Sequence, residues 1–294
     1  MAVRHFITME DLSVAEFDRV LDDAALWKAE GHGTPLAGKT VALIFGKPST
    51  RTRVSFSVGV HQLGGFPLTL SEQELQMRKS ESIEDTARVL SRFVDGIVIR
   101  TFANKDVEDL AASATVPVVN ALTDDDHPCQ ALADIQTFRE NFADARGRKI
   151  TYLGDGNNVA ASLAEAAAMA GIDMCLSVPA GCDLPVGKMD SIAALAERQG
   201  TRFWVERDPV VAVGSASALY TDVWISMGQE DDKDKVSALR PYQVNSALLG
   251  VARPDAIVLH CLPAHRGEEI TDEVMDGPQS RVFDQAENRL HAQK

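Results

Sequence analysis

Short continuous apolar runs recur along this chain, each followed by a polar turn and then by apolar residues at helical spacing. The runs at 41–45, 66–70, 96–99, 118–122, 150–153, 174–178, 202–205, 219–223 and 256–260 read as strands. Unbroken hydrophobicity is what a parallel strand covered on both faces shows. Helical stripes lie between them. Phe17, Leu21 and Ala24 follow the capping box Ser13-Val14-Ala15-Glu16, and Ile83, Ala87, Leu90 and Val94 follow Ser82. An alanine-rich stretch ends at Gly171, and Pro128 suits the first position of another helix. This alternation predicts an α/β protein of two doubly wound parallel-sheet domains. The expected divisions are 1–133, 134–276 and a C-terminal helix, 277–294, packing back on the first domain.

In open parallel sheets, ligands bind beyond the carboxyl ends of the strands. Ser49-Thr50-Arg51-Thr52-Arg53 stands there, between the run at 41–45 and a helix. A helix start already offers free N–H groups and a positive dipole end. Hydroxyls and forked arginines added to it make an oxyanion cradle of the kind that holds phosphate. The competing reading is a solvated loop with Ser49 or Thr50 as a cap. Other strand ends carry Arg100, His127 with Gln130, Asn157 with Asn158, Asp222 with Ser226, and His260 with Cys261. Six such ends are expected to line one interdomain active-site cleft. Each has a plainer alternative: an exposed ion pair for Arg100, a helix cap for His127, a turn cap for Asp222, a small core residue for Cys261.

Gly154-Asp155-Gly156 lacks the third glycine of a dinucleotide turn, so no NAD site is expected. His260-Cys261 shows no third ligand by spacing, so no metal is expected either. The polar stretch 71–80 has no clear period and reads as a mobile or functional loop.

Apolar residues make up 45% of the 294, which suits a globular protein, and the net charge is −14. Such an acidic chain repels nucleic acid and anionic membrane, so an anionic ligand needs a local basic pocket. No apolar run reaches membrane-spanning length, and the N-terminus carries no signal-peptide core. Cys129, Cys175, Cys182 and Cys261 are spaced like reduced thiols of a cytoplasmic protein.

Four segments occur in order: Ser49-Thr50-Arg51-Thr52-Arg53, His127-Pro128-Cys129-Gln130, Asp222-Val223-Trp224-Ile225-Ser226-Met227-Gly228 and His260-Cys261-Leu262-Pro263. The set resembles the carbamoyltransferases over essentially the whole chain. Within them it is similar to the ornithine-using branch. The aspartate-using branch typically has threonine at the position of Cys129, proline at that of Cys261, and no Ser-Met-Gly segment.

The resemblance implies transfer of the carbamoyl group of carbamoyl phosphate to the δ-amine of L-ornithine, giving L-citrulline and phosphate, in arginine biosynthesis. It implies no cofactor and no metal. Ser49, Thr50, Arg51 and Thr52 would hold the phosphate. Arg100, His127, Pro128, Cys129 and Gln130 would surround the carbamoyl group, with Arg289 from the last helix. Gln76 would reach a neighbouring subunit's site, implying a homotrimer. Asn158 would take the ornithine carboxylate, and Asp222, Ser226 and Met227 its α-ammonium. Cys261 and the Leu262 carbonyl would orient the side-chain amine. Arg100, His127 and Cys261 are the expected catalytic residues.

Two departures stand out. Met77-Arg78-Lys79-Ser80-Glu81 lacks the glycines usual after Gln76, which implies a stiffer loop. The last helix stops at Lys294 without the further apolar turns usual in the family, so either a short tail is missing or the closing helix is thinly packed, and a mobile C-terminus is expected.

Overall fold

The computed structural model describes residues 3–71, 75, 77, 80–225 and 233–294. The expectations for Gln76, Ser226, Met227 and most of the 71–80 loop lie outside these residues. The chain divides into two compact units, Met1–Ala133 with Asn288–Lys294, and Asp134–Glu287.

In the first unit the order is α1 (Val14–Glu30), β1 (Thr40–Phe45), α2 (Arg51–Gln62), β2 (Phe66–Ser71), α3 (Ile83–Leu90), β3 (Gly96–Arg100), α4 (Asn104–Ser113), β4 (Val118–Leu122) and the start of α5 (Pro128–Asn141). The strands form a four-stranded sheet in the order β2-β1-β3-β4, every pairing parallel. Central β3 is buried at every position, and β1 from Ala42 to Phe45. The edge strand β2 is not, and Phe66 is 62% exposed. One side of the sheet packs Ile44, Ile97 and Ile99 with Val107 and Leu110 of α4; the other packs Leu43, Phe45 and Val98 with Phe56 of α2. Ser13 and Ser82 cap their helices as their spacing predicts.

The second unit runs β5 (Lys149–Leu153), α6 (Asn158–Ala170), β6 (Asp173–Ser177), α7 (Val186–Gln199), β7 (Phe203–Val205), α8 (Pro209–Val213), β8 (Ala218–Thr221), α9 (Lys233–Leu239), α10 (Ser246–Leu249), β9 (Ile257–His260), α11 (Asp272–Met275) and the first part of α12 (Val282–Gln293). Its five-stranded sheet has the order β7-β6-β5-β8-β9, again all parallel. From Val159 to Ala170 the alanine-rich α6 is buried on every side, and its one acid, Glu165, meets Lys188 Nζ of α7 at 2.6 Å.

Two details differ from the pattern-based reading. Residues 277–287 belong to the second unit, because Val282 packs with Val258, Val274 and Met275; the first unit resumes at Asn288, not at 277. The final helix, expected to be mobile, is regular through Gln293. Asn288 is fully buried and accepts a 2.8 Å hydrogen bond from Lys28 Nζ of α1, and Arg289 and Ala292 are buried beside it.

Candidate functional site

Each sheet has one place where the strand order reverses, between β1 and β3 in the first and between β5 and β8 in the second. Loops leaving the carboxyl ends of such strands diverge and open a crevice. Both polar clusters lie at these places.

In the first unit, β1 ends at Phe45 and the chain turns through Lys47 and Ser49 into α2. Thr50 occupies the N-cap position in helical geometry (φ −87°, ψ −60°) and makes no side-chain capping bond. This removes the capping alternative for Thr50. Lys47, 7% exposed, pairs with the Asp124 carboxylate, and its ammonium lies 4.4 Å from the centre of the Phe102 ring. The turn after β1 is thereby fastened to the connection after β4.

Arg100 ends β3. The β3–β4 register slips between Ile99 and Arg100, leaving Ala121 as an extra residue, a bulge of the kind that re-aims a neighbouring side chain. Arg100 is 7% exposed, so the exposed ion-pair reading fails. Its Nη1 donates to Thr52 Oγ1 at 3.2 Å. Arg289 Nη2 donates to the same hydroxyl at 3.3 Å, and its Nη1 to Gln130 Oε1 at 2.5 Å. With its amide turned to satisfy both faces, Gln293 accepts from Arg289 Nη2 at 2.9 Å and Nε at 3.1 Å.

His127 is presented by a tight turn. Thr123 N donates to Asp126 O at 2.8 Å, Asp126 N to Thr123 Oγ1 at 3.1 Å, and Asn104 Nδ2 to Asp126 Oδ2 at 2.8 Å. The ring is 4% exposed. Burial first, then the Arg289 and Arg100 guanidiniums, push its pKa well below the usual histidine value. At neutral pH it is an uncharged imidazole, able to donate from one nitrogen. Thr52, Arg100, His127, Gln130 and Arg289 therefore form one cluster of hydrogen-bond donors, with Arg51 exposed and Ser49 half-buried at its approach. Pro128 is the first residue of α5. The Cys129 thiol is different: it packs with Leu43, Phe45 and Phe56, donates to Asn120 O at 3.4 Å, and burial pushes its pKa up to about 12. It is a core side chain and no nucleophile.

In the second unit, Gly154-Asp155-Gly156 makes the turn from β5 to α6. A Cβ on Gly156 would lie 2.5 Å from Cys182 O and 2.8 Å from Leu184 N. Close approach of two backbones, not a dinucleotide, requires this glycine. Asn157 caps α6, and half-buried Asn158 is its first residue. Asp222, 6% exposed, lies just past β8, accepting from Cys261 Sγ at 2.9 Å and from Asn157 Nδ2 at 2.8 Å. Cys261 is half-buried, so it is neither a core residue nor a free surface thiol.

Leu262 holds a left-handed backbone (φ 60°) before the cis Leu262–Pro263 bond. Its N–H donates to His260 Nδ1 at 2.9 Å, so the His260 proton sits on Nε2, 3.0 Å from Glu269 Oε1. Folding does bring a third ligand-type group, Asp222, to His260 and Cys261. Yet both His260 nitrogens and the Cys261 thiol already have hydrogen-bond partners. Among the described residues the other such cluster is His265, Glu268 and Glu269. There Glu269 Oε1 is taken by His260 and by His265 N.

Comparison with known proteins identifies the family. Residues 4–140 match the family model "Aspartate/ornithine carbamoyltransferase, carbamoyl-P binding domain", and residues 146–294 match "Aspartate/ornithine carbamoyltransferase, Asp/Orn binding domain". The chain belongs to the aspartate/ornithine carbamoyltransferase family. It is 51% identical to the ornithine carbamoyltransferase of Thermococcus kodakarensis, over 100% of this chain and 95% of that protein. The crystallised ornithine carbamoyltransferase of Pyrococcus furiosus superposes with a TM-score of 0.95 at 49% identity, covering 99% of this chain and 95% of that one. The Gloeobacter violaceus enzyme gives 0.90 at 46%, with the same coverage.

Lys47, Asn104 and Tyr152 were not singled out as site residues by sequence, and Asn157 was named only as a polar strand end beside Asn158, with no role of its own. Asn157 carried a usable signal, an asparagine immediately before a helix. Lys47 carried none, since its buried ion pair is formed with a residue 77 positions away.

Proposed function

We infer that this chain is an enzyme that transfers the carbamoyl group of carbamoyl phosphate to the δ-amine of L-ornithine, releasing L-citrulline and phosphate, in arginine biosynthesis. One observation carries the reading at the level of chemistry. An uncharged, buried His127 stands in the field of two guanidiniums that share the Thr52 hydroxyl. Such a cluster is suited to an anion whose charge grows during acyl transfer.

The neutral δ-amine attacks the carbamoyl carbon, and the bond from that carbon to the phosphate oxygen breaks. Arg100 and the His127 N–H stabilise the carbonyl oxygen as it gains charge. Ser49, Thr50, Arg51, Thr52, Arg289 and the N–H groups at the start of α2 hold the departing phosphate. Gln130 orients the carbamoyl amide, with Pro128 and Cys129 contributing backbone. On the acceptor side, Asn158 takes the α-carboxylate and Asp222, with Ser226 and Met227, the α-ammonium. Cys261 and the Leu262 carbonyl direct the δ-amine. Holding both substrates in line supplies much of the rate. The amine proton passes to the leaving phosphate, with Cys261 in the relay. A Cys261→Ser enzyme with full turnover and an unchanged pH profile would remove the relay.

The working form is a cytoplasmic homotrimer in which Gln76 enters a neighbouring site. Exposed Val54, Phe66 and Phe93 provide apolar surface for self-association. Light scattering on the purified chain reads the assembly, and a mass near that of the 31.8 kDa monomer would exclude the trimer. The activity itself is read by citrulline formation, with ornithine, putrescine and aspartate compared as acceptors. Turnover confined to ornithine is expected. Turnover with putrescine would show that Asp222 does not select an α-amino acid.

A further inference from the structure

Asn157 performs two tasks, and only one of them is capping. Its Oδ1 accepts from Val159 N at 3.0 Å, from Ala160 N at 3.1 Å and from Tyr152 Oη at 3.1 Å. Three donors on that side fix the amide orientation, so Nδ2 must face the other way. There it donates to Asp222 Oδ2 at 2.8 Å, while Oδ1 of the same carboxylate accepts from Cys261 Sγ at 2.9 Å. Both oxygens of Asp222 are thus held, and the plane of the carboxylate with them.

A cap alone needs no asparagine. Serine, threonine and aspartate accept from the first N–H groups of a helix about as well. Serine and threonine also carry a hydroxyl donor, but only asparagine has a separate NH2 group that reaches away from the accepting oxygen. Aspartate here would set two carboxylates against each other, and serine would leave Asp222 Oδ2 without this partner. Tyr152 reinforces the arrangement. Its ring is fully buried and stacked on Tyr220 with centroids 5.7 Å apart, so its hydroxyl approaches Asn157 from a fixed position. Burial, with Asp222 next, raises the Tyr152 pKa well above the usual value, which keeps it a neutral donor.

We propose that Asn157 is a positioning residue for acceptor recognition: acting through Asp222, it sets the direction from which that carboxylate meets the α-ammonium of the amino-acid acceptor. The proposal rests on the acceptor assignment made above for Asp222. It adds a residue that touches neither substrate and makes the β5–α6 turn part of acceptor selectivity.

The test uses Asn157→Ser and Asn157→Asp, both of which keep a cap. Loss of one hydrogen bond to a charged group predicts a rise of about tenfold in KM for ornithine, with KM for carbamoyl phosphate within about twofold of wild type. Inhibition by L-norvaline, which has the α-amino and carboxylate groups but no δ-amine, should weaken in parallel. In an Asp222→Ala background, Asn157→Ser should cost no more than about twofold, because the group it acts through is gone. An unchanged ornithine KM, equal losses for both substrates, or full additivity with Asp222→Ala would overturn the proposal. A crystal structure of the Asn157→Ser protein decides independently of turnover: Asp222 is expected to rotate, and an unmoved carboxylate would refute the positioning role. A wild-type chain that makes no citrulline would instead refute the proposed function, and the crystal structure would still judge the geometry.

Discussion

Replacing Arg289 by lysine asks whether a charge is enough at this position or a guanidinium fork is needed. Arg289 is 5% exposed and, besides its bonds to the turned Gln293 amide, its fork spans Gln130 Oε1 at 2.5 Å and Thr52 Oγ1 at 3.3 Å. Lysine keeps the charge on a single ammonium and cannot reach both. The 3.3 Å contact is long, so its loss alone costs the free protein little. The larger loss falls on a bound phosphate, which the fork can grip with two charge-assisted bonds and lysine with one. One such bond contributes about 1.5–3 kcal/mol. At about 1.4 kcal/mol per decade, kcat/KM for carbamoyl phosphate should fall roughly 10- to 150-fold. KM for ornithine should hold steady. The assay is steady-state citrulline formation with each substrate varied at saturating concentration of the other, alongside the thermal midpoint. In a chain of this size about 1 kcal/mol shifts the midpoint by only about 2–4 °C, so a stable variant with a large kinetic defect separates binding from folding. Activity within about twofold of wild type, or a defect expressed only in ornithine KM, would refute the role given to the fork.

Removing the His127 donor with His127→Gln should lower kcat by roughly 10²–10³-fold, as for other oxyanion donors. The same residue predicts a pH effect. Its folded pKa lies below the ordinary value, so the unfolded chain takes up the proton first as pH falls. Stability should therefore drop below about pH 6.5, while its titration leaves kcat/KM flat between about pH 6 and 8; urea unfolding should show a shallower acid slope in His127→Gln. Gly156→Ala drives a Cβ to 2.5 Å from Cys182 O. It should destabilise by about 1–3 kcal/mol, read as a lower urea midpoint, and raise ornithine KM through the displaced Asn157. Dialysis against EDTA should leave turnover unchanged, since the Asp222, His260 and Cys261 ligand atoms are engaged with one another or with neighbours; lost activity restored by a divalent cation would contradict this.

Much of the fold was legible because parallel strands buried on both faces must be written as unbroken apolar runs. The runs at 41–45 and 118–122 match β1 and β4 to within one residue. Helix starts were legible where a serine box marked them, as at Ser13 and Ser82. The four- and five-residue helices α8, α10 and α11 were not, because a helix of barely one turn shows no period. Strand order was not legible either. Nothing local says that β1 lies between β2 and β3, yet that placement brings the turn after Phe45 and the end of β3 to one crevice. Asp222 and Cys261 are 39 positions apart, and only the β8–β9 pairing makes them neighbours. The Cys129 thiol illustrates the opposite case, a side chain in the string that points into the core. A functional string of residues along a helix must point some side chains inward, and Cys129 is one of them.

The two strand-to-helix turns use the same backbone physics toward opposite charges. At α2, Thr50 adopts helical geometry and leaves its hydroxyl out of capping, so the first N–H groups of that helix remain open to an anion. Two arginines then reinforce the positive end in a protein whose overall charge is −14. At α6 the first N–H groups are partly consumed by Asn157, which cancels some of the attraction for anions at that end. The cap then turns its own amide hydrogens toward Asp222, and the turn presents a carboxylate. In the function proposed above, a free helix start with arginines receives a phosphate and a capped one with a steadied aspartate receives an ammonium. Exchanging the caps alone would not exchange the functions, because Arg100 and Arg289 reach Thr52 from β3 and the last helix, whereas Asp222 comes from the end of β8. The selectivity of each turn is therefore set by what the neighbouring strand delivers to it, and the cap decides whether the helix dipole helps or stands aside.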